Sequence, residues 1–434
     1  MPARFNKLLF CSVFLALIIG IYLLPQALPA SIGTGYIVLS FAMSALSGLA
    51  WRYDIITPRG ALYLAIIGCL YLMPLLPYSS NDAQRYLWDG AVFFSGLDPY
   101  TTSPNNPLAA GLREIWPTPE EHSDYATLYP PGALILFGVF SLAGPLHGIL
   151  VWKIMVTFAA IFSLIAAYKL LVFRGLTQHF YLIAFCPLLM FEAGVGAHLD
   201  IFSLLGIVLA LWALDAEKVI LAGIIIGLAA TTKFLPAVIA GPLLFLLPPR
   251  KALTLFASSA ITWLSVYLLM FGLGYKPLGL IPTFFEKWRG GGPLFPILDA
   301  SKQWLGLPSY IFLTGLMGLA LAGFSLAARL AKRGHAAIAM ALCLAVPLLL
   351  SPVLFPWYLL VLVPFLALRP SAAIFLAVTL VPLNYVVLNK WLAQGIWDQP
   401  TWPATLLAIA IMIGLVFDLF MTQKARKVKQ LCGN

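Results

Sequence analysis

The chain has 434 residues, of which 62% are hydrophobic and only 10% are charged, and its formal net charge is +10. In soluble domains about a quarter of the residues are usually charged, so this composition excludes a soluble globular protein. Apolar stretches of roughly 17 to 22 residues recur along the chain, which is the length of a membrane-crossing helix, whereas a membrane β-barrel would show alternating segments of about ten. We therefore predict an all-α integral membrane protein.

The basic residues lie mainly at the ends of the apolar stretches. The preference of cytoplasmic loops for Lys and Arg explains the positive charge there, so no nucleic acid partner is implied. The five cysteines form no CxxC pair and have no nearby histidine at ligand spacing, which argues against a disulfide framework or a zinc site. We expect no cofactor and no metal.

We interpret residues 1–434 as one domain. If loops rich in Lys and Arg are taken as cytoplasmic, this domain contains twelve to fourteen transmembrane helices. Both termini are then cytoplasmic, with a basic tail at 422–434, and segments 77–129, 274–309 and 389–401 are external. The predicted spans, whose limits carry errors of several residues, are 8–24, 34–51, 61–76, 201–214, 219–232, 234–247, 252–273, 310–328, 336–350, 357–368, 372–388 and 402–421.

The sequence allows two membrane topologies for residues 131–191. In the first, 132–142 is a re-entrant or interfacial helix, and 149–173 and 180–191 cross the membrane. In the second, 132–142 crosses fully and Arg174 is external. The sequence leaves both open.

The first external segment, 77–129, is the most informative part of the chain. It holds seven of the sixteen acidic residues and is rich in Pro, Tyr and Trp. Long loops of this kind are usually functional or disordered, and the aromatic content argues against disorder. We expect the loop to carry interfacial helices and the catalytic site.

The run from Asp82 to Gly90 begins this segment. If it is helical, its spacing places Asp82, Arg85, Tyr86 and Asp89 on one face. One interpretation is an interfacial helix with solvated charges, in which Asp82 and Arg85 form an ordinary ion pair. The other is a catalytic site, in which Asp82 accepts a proton from an attacking hydroxyl. A metal held by Asp82 and Asp89 is the least favoured alternative.

Three later positions carry chemistry. Lys233 lies between two apolar runs, where it either binds a donor phosphate or extends to the interface. His198 and Asp200 follow a small-residue break at 194–197 that suits a turn at the outer surface; they either bind substrate or begin a helix, with Asp200 as its N-cap. Tyr358 lies at an outer helix start, where it lines a substrate site or belongs to the aromatic belt.

Between residues 60 and 370 the chain contains several short motifs that follow one another in the same order as in a known family. They are Asp82-x-x-Arg85-Tyr86-x-Trp88-Asp89-Gly90, Gly96-Leu97-Asp98-Pro99-Tyr100, Tyr129-Pro130-Pro131, His198-Leu199-Asp200, Thr231-Thr232-Lys233-Phe234-Leu235-Pro236, Ser351-Pro352 and Pro356-Trp357-Tyr358. In this order they resemble the bacterial polyprenol-phosphate-dependent mannosyltransferases of the glycosyltransferase C superfamily.

The resemblance implies a multispan inverting glycosyltransferase of the bacterial inner membrane with its active site on the external side. A hexose, most simply mannose, would move from a polyprenyl-phosphate carrier to a lipid or glycan acceptor. Carried over by position, Asp82 is the general base, Lys233 and Arg85 hold the donor phosphate, and the pocket is lined by Tyr86, Asp89, His198, Asp200 and Tyr358. The rival interpretation is a transporter or flippase for a lipid-linked or small polar substrate, which predicts charges on broken helices at the membrane midplane.

Overall fold

The computed structural model describes residues 7–116, 118, 123–277, 279 and 287–432. Within these ranges the chain forms helices and loops, apart from isolated bridges between Gly290, Gly291 and Val353. The α-helices are α1 (Lys7–Ala27), α2 (Ile32–Tyr53), α3 (Pro58–Leu72), α4 (Asp82–Phe94), α5 (Ala110–Ile115), α6 (Pro131–Ser141), α7 (Gly144–Phe173), α8 (Tyr181–Ala184), α9 (Pro187–Phe191), α10 (Asp200–Asp215), α11 (Val219–Thr232), α12 (Ala240–Leu246), α13 (Pro249–Gly272), α14 (Phe295–Trp304), α15 (Ser309–Lys332), α16 (Ala336–Leu350), α17 (Val363–Leu368), α18 (Ala372–Leu380), α19 (Val387–Gln394) and α20 (Trp402–Cys432).

Short irregular helices join several of these elements. They are the 3₁₀ turns Pro29–Ser31, Pro107–Ala109, Thr177–His179, Leu235–Ile239, Pro356–Leu362 and Val381–Val386, and one π-helical turn, Glu192–Gly196. The π-turn follows α9 directly, and α10 begins four residues after it.

Seven helices in the described part of the chain are long and apolar enough to cross a membrane, and a bent pair, Thr177–Ala184 with Pro187–Gly196, could form an eighth span. A further six apolar helices are shorter, from 10 to 17 residues. The prediction of an all-α, multi-pass membrane protein is confirmed. The predicted spans 219–232 and 336–350 agree at both ends with Val219–Thr232 and Ala336–Leu350.

Other predicted spans are divided, and proline accounts for the breaks because it removes a helix hydrogen bond and clashes with the preceding turn. Pro187 divides 180–191, with a bend of 48° in the helix pair. Span 234–247 is a 3₁₀ turn containing Pro236 followed by α12, and span 372–388 changes to 3₁₀ geometry at Pro382. The predicted tail is not a separate segment, since α20 continues to Cys432.

Residues 131–191 contain the predicted short helix, α6, and then a longer helix than expected. Gly144, with φ at 77°, joins α6 to the 30-residue helix α7. The left-handed conformation at this position favours glycine because a side chain there would be strained.

Close helix contacts at small residues bring α4 into the bundle. A Cβ added at Gly90 would lie 2.3 Å from the carbonyl of Phe137 in α6. A Cβ at Gly132 would lie 2.2 Å from the hydroxyl oxygen of Thr231 in α11. Small residues allow such approach of helix backbones in membrane proteins. The two contacts connect the helix that starts at Asp82 to the end of the helix that precedes Lys233.

We expect Gly90→Ala to destabilise the protein. The added methyl has no space against the α6 backbone, and overpacking of this kind typically costs about 1–3 kcal/mol. The apparent melting temperature of purified protein in detergent should fall. Gly111→Ala is the matched control, because a Cβ there meets nothing within 4 Å. Equal melting temperatures for the two variants would contradict the packing described.

Candidate functional site

Asp82 is the partly exposed member of an otherwise buried polar cluster. Its side chain is 22% exposed, and its Oδ2 accepts a hydrogen bond of 3.2 Å from the Tyr86 hydroxyl, one turn along α4. Its backbone N–H donates to Ser80 Oγ at 3.3 Å, and His198 Nε2 lies 3.8 Å from the same Oδ2. The carboxylate is therefore held on one side by the protein and open on the other.

His198 is fully buried and fixed through both ring nitrogens and through its ring face. Nδ1 lies 2.6 Å from Oε2 of Glu192, and Nε2 lies 2.9 Å from Oγ of Ser80. The imidazole stacks on the Trp357 indole with centroids 3.7 Å apart and ring planes 14° apart. These contacts leave the ring one orientation, with Nε2 directed towards Asp82.

Glu192 is the buried end of the cluster. Its side chain has no exposure, and its Oε1 accepts hydrogen bonds from the hydroxyls of Tyr385 at 2.7 Å and Tyr36 at 3.3 Å. A buried carboxylate is tolerated only when hydrogen bonds satisfy both oxygens. The two tyrosines and His198 meet that requirement.

The π-turn that carries Glu192 is held by two side chains of α7. Lys153 is buried, and its ammonium donates to the carbonyls of Ala193 and Gly194. Trp152 Nε1 donates to the carbonyl of Ala197 at 2.8 Å. Ala197 itself has a left-handed φ of 53°. Lys153 was not among the residues predicted for the site, although an ionisable residue buried within a long apolar helix is a signal of function. The predicted outer-surface turn at 194–197 is wrong, since all four residues are buried.

Lys233 and Asp200 form a second ionic group. Lys233 follows α11 in extended conformation, and its Nζ lies 2.6 and 2.7 Å from the two carboxylate oxygens of Asp200. The same ammonium lies 4.2 Å from the centroid of the Tyr358 ring. Its side chain is 24% exposed, whereas that of Asp200 is 2% exposed. Asp200 is thus an ion-pair partner rather than the helix N-cap considered above, because its carboxylate is directed to Lys233.

Tyr86 lies between these two groups. Burial raises the pKa of its hydroxyl well above the ordinary value, and the charge of Asp82, with a smaller effect of Asp200, raises it further. Burial likewise raises the pKa of Tyr129, and Asp82 and Tyr358 add to the effect. Both phenols therefore stay protonated and act as hydrogen-bond donors at neutral pH. The charge of Asp82 acts on the pKa of both tyrosines, whereas Asp200 acts on that of Tyr86 and Tyr358 on that of Tyr129.

Arg85 and Asp89 connect α4 to the later part of segment 77–129. Arg85 Nε lies 2.9 Å from Asp89 Oδ1, and its Nη2 donates to the carbonyl of Tyr125 at 2.8 Å. Asp89 Oδ2 accepts from the Thr127 hydroxyl at 2.7 Å. The polar face of α4 is buried, so the solvated interfacial helix considered above is wrong. Phosphate binding by Arg85 and pocket lining by Asp89 stay predictions that this geometry does not favour.

The described part of segment 274–309 contacts both segment 77–129 and the residues before Trp357. The N–H of Gly290 donates to the carbonyl of Pro352 at 3.1 Å, and the N–H of Leu354 donates to the carbonyl of Gly290 at 2.9 Å. The rings of Trp288 and Tyr125 have centroids 4.6 Å apart. Residues 280–286 of this segment lie outside the described residues, as do residues 119–122 of segment 77–129.

The described residues contain no group of three His, Cys, Asp or Glu side chains that could hold a metal ion. The expectation that no metal assists stays a prediction. With or without a metal, the cluster offers a carboxylate base beside a buried histidine, and a lysine directed to the same group of tyrosines.

Comparison with known proteins gives one match. The family model described as the N-terminal domain of alpha-(1->6)-mannopyranosyltransferase matches residues 16–250, which is more than half of the 434-residue chain. No curated protein and no solved structure matches the chain. The matched range includes Asp82, Glu192, His198, Asp200 and Lys233, whereas Tyr358 lies beyond it.

We expect Lys153→Met to weaken the π-turn and with it the position of Glu192 and His198. The variant removes the hydrogen bonds to the carbonyls of Ala193 and Gly194, each typically contributing about 0.5–1.5 kcal/mol. The melting temperature of the purified protein should fall. Lys169→Met in the same helix is the control, because Lys169 is exposed. Unchanged stability in Lys153→Met would show that the two carbonyls do not depend on the ammonium.

Proposed function

The chain belongs to the alpha-(1->6)-mannopyranosyltransferase family, and on that premise we propose that it moves a mannosyl group from a polyprenyl-phosphate donor to a 6-hydroxyl of a lipid or glycan acceptor. As a member of this family it is a glycosyltransferase, and its apolar helices make it a multi-pass membrane protein. We place the reaction on the external side of a bacterial inner membrane. Family membership favours the transferase over the transporter considered from the sequence.

One observation carries the proposal: Asp82 presents a partly exposed carboxylate at the edge of a buried polar cluster, where the Tyr86 hydroxyl donates to it and His198 Nε2 lies 3.8 Å away. In the proposed reaction Asp82 takes the proton of the acceptor hydroxyl as that oxygen bonds to the anomeric carbon. The bond from this carbon to the phosphate oxygen breaks, and the phosphate leaves with the electron pair. A single carboxylate suffices because the phosphate leaves without protonation.

This attack inverts the anomeric centre. The family name specifies an alpha product, so an inverting reaction requires a β-linked donor. A retaining enzyme would need a second carboxylate on the opposite side of the sugar, at about 5 Å from the first. We therefore propose the β-linked phosphodiester as the donor, and Lys233 as the group that binds its phosphate.

A shallow apolar groove that is lined in part by Phe234, the residue after Lys233, suits the prenyl chain. It has a volume of about 310 Å³ and is lined mainly by α13, including Trp263, Leu264, Leu268 and Phe271, together with Phe234, which follows Lys233 in the chain. A donor whose phosphate lies on Lys233 would place its first isoprene units here. We propose that the lipid enters from the side of the bundle through this groove.

Asp82→Asn is the test of the base. General base catalysis typically contributes about 10²–10⁴-fold, so we expect transfer from radiolabelled polyprenyl-phosphate mannose to fall by that factor in purified protein. The asparagine keeps the size of the side chain and its hydrogen bond to Tyr86 but cannot take the proton. Asp124→Asn, in an exposed part of the same loop, should transfer at the wild-type rate.

Wild-type transfer by Asp82→Asn would refute the assigned base. A panel that includes polyprenyl-phosphate glucose and a nucleotide-linked mannose tests the donor class. Transfer from the nucleotide sugar alone would refute the lipid donor, and an anomeric configuration other than alpha in the isolated product would refute the proposed linkage.

Two variants separate phosphate binding from prenyl binding. Lys233→Gln removes a charge-assisted contact, so the KM for the donor should rise roughly ten- to hundredfold whatever the prenyl length. Leu268→Trp fills the groove, so KM should rise for a long-chain donor and stay unchanged for a donor with two isoprene units.

Because Lys233→Gln leaves Asp200 buried without its partner, the double variant Asp200→Asn with Lys233→Gln guards against misfolding. Ile261→Trp is the control for the groove, since Ile261 lies on an exposed part of α13. An unchanged donor KM in the folded double variant would exclude Lys233 from phosphate binding.

A further inference from the structure

Tyr129 is a partly exposed tyrosine that begins the motif Tyr129-Pro130-Pro131. We propose that its hydroxyl oxygen binds the 2-hydroxyl of the donor sugar and so determines the preference for mannose, which differs from glucose only at that carbon. This inference rests on the proposed function, because it takes Asp82 as the base and Lys233 as the group that binds the phosphate. Tyr129 itself would bind the sugar and take no proton.

Contacts with three parts of the chain fix the position of Tyr129. Its backbone N–H donates to the Thr127 hydroxyl oxygen at 3.2 Å, and that hydroxyl donates to Asp89 in α4 at 2.7 Å. Its ring lies edge-on to the rings of Tyr86 in α4 and Phe137 in α6, with centroids 5.2 Å apart in both pairs and ring planes 88° and 87° apart. The side chain is therefore held in one orientation.

The hydroxyl of Tyr129 lies between the proposed base and the proposed phosphate-binding group. On one side it is hydrogen-bonded to the Tyr86 hydroxyl, which donates to Asp82 at 3.2 Å. On the other side Tyr358 is close enough to raise the pKa of Tyr129, and the ammonium of Lys233 lies 4.2 Å from the centroid of the Tyr358 ring. One hydroxyl thus separates Tyr129 from the base, and one ring separates it from the ammonium.

The backbone after Tyr129 supports this position. Gly132, three residues later, packs so closely on α11 that an added Cβ would lie 2.2 Å from the hydroxyl oxygen of Thr231. Lys233 follows Thr231 by two residues. The segment that carries Tyr129 therefore lies beside the segment that carries Lys233.

The hydrogen bonds determine what the Tyr129 hydroxyl can bind. A phenol has one hydrogen to donate. That of Tyr86 is directed to Asp82, so the hydrogen between the two phenols comes from Tyr129, whose oxygen remains an acceptor. An acceptor oxygen repels the oxygens of a phosphate and binds a group that carries a hydrogen. Its partner is therefore a hydroxyl of the sugar.

The geometry of an inverting transfer identifies that hydroxyl. The attacking oxygen at Asp82 and the leaving phosphate oxygen at Lys233 lie on opposite sides of the anomeric carbon. A group beside the middle of this line meets the two ring neighbours of the anomeric carbon, which are the ring oxygen and carbon 2. The ring oxygen has no hydrogen, whereas the 2-hydroxyl has one. In glycoside hydrolysis, which has the same kind of transition state, hydrogen bonds to the 2-hydroxyl strengthen as that state forms.

Tyr129→Phe removes the hydroxyl and keeps the ring. The measured quantity is the ratio of kcat/KM for polyprenyl-phosphate mannose to kcat/KM for the corresponding 2-deoxy donor, which has no hydroxyl at carbon 2. We expect this ratio to be roughly tenfold lower in Tyr129→Phe than in the wild type, as for the loss of one hydrogen bond. The difference in intrinsic reactivity between the two donors is the same with either protein, so it cancels in this comparison. With the 2-deoxy donor alone, the variant and the wild type should transfer at similar rates.

Two controls restrict the interpretation to this contact. Tyr125→Phe loses a phenolic hydroxyl in the same segment, from a ring that contacts Trp288, and should keep the wild-type ratio. A 3-deoxy donor tests the position on the sugar, and its ratio to mannose should be unchanged in Tyr129→Phe. If Tyr129→Phe does not fold, Tyr129→Met also lacks the hydroxyl and allows the same comparison, because methionine fills irregular space.

The inference and the proposed function fail differently. A wild-type ratio in a folded Tyr129 variant, an equal fall in the 2-deoxy and 3-deoxy ratios, or loss of transfer from the 2-deoxy donor as well would overturn the contact with the 2-hydroxyl. Each of these results leaves the proposed function intact, because the wild-type protein still transfers mannose. No transfer by the wild type from any polyprenyl-phosphate donor, or full activity of Asp82→Asn, overturns the proposed function and the contact with it.

Discussion

The need to satisfy the buried carboxylate of Glu192 organises the centre of this protein. Its partners come from distant parts of the sequence: Tyr36 from α2, Tyr385 from the turn Val381–Val386, and His198 from the residues after its own π-turn. Each partner makes a hydrogen bond that the carboxylate requires because it is buried. The first, middle and last parts of the chain therefore converge on one point, and Asp82 lies at its open edge.

Local spacing predicted the part of the site that a single helix contains. Tyr86 follows Asp82 by four residues and does donate to it, and Asp89 follows Arg85 by four and is its ion-pair partner. The sequence could not indicate that this polar face is buried, because burial depends on α6 lying against Gly90. The fold class could also be predicted from the sequence, because the length and hydropathy of the apolar segments are enough to identify membrane-crossing helices.

Contacts between distant segments were beyond sequence reasoning. Glu192 and its two tyrosines are separated by 156 and 193 residues, and no periodicity connects them. Lys233 and Asp200 were each recognised as candidates, but their ion pair depends on how α10 lies beside α11. Lys153 escaped prediction for a different reason: length and hydropathy identify α7 as a span, but they do not distinguish a lysine that binds backbone carbonyls in the interior from an exposed one such as Lys169.

The ion pair of Lys233 and Asp200 also bears on how the enzyme would release its spent carrier. A phosphodiester donor has one negative charge, whereas the monoester left after transfer approaches two at neutral pH. With a carboxylate already 2.6 Å from the ammonium, the added charge meets repulsion that the donor avoids. Asp200 would therefore offset part of the attraction between Lys233 and the second charge, so that the spent carrier is held less tightly than by a lysine without a carboxylate partner.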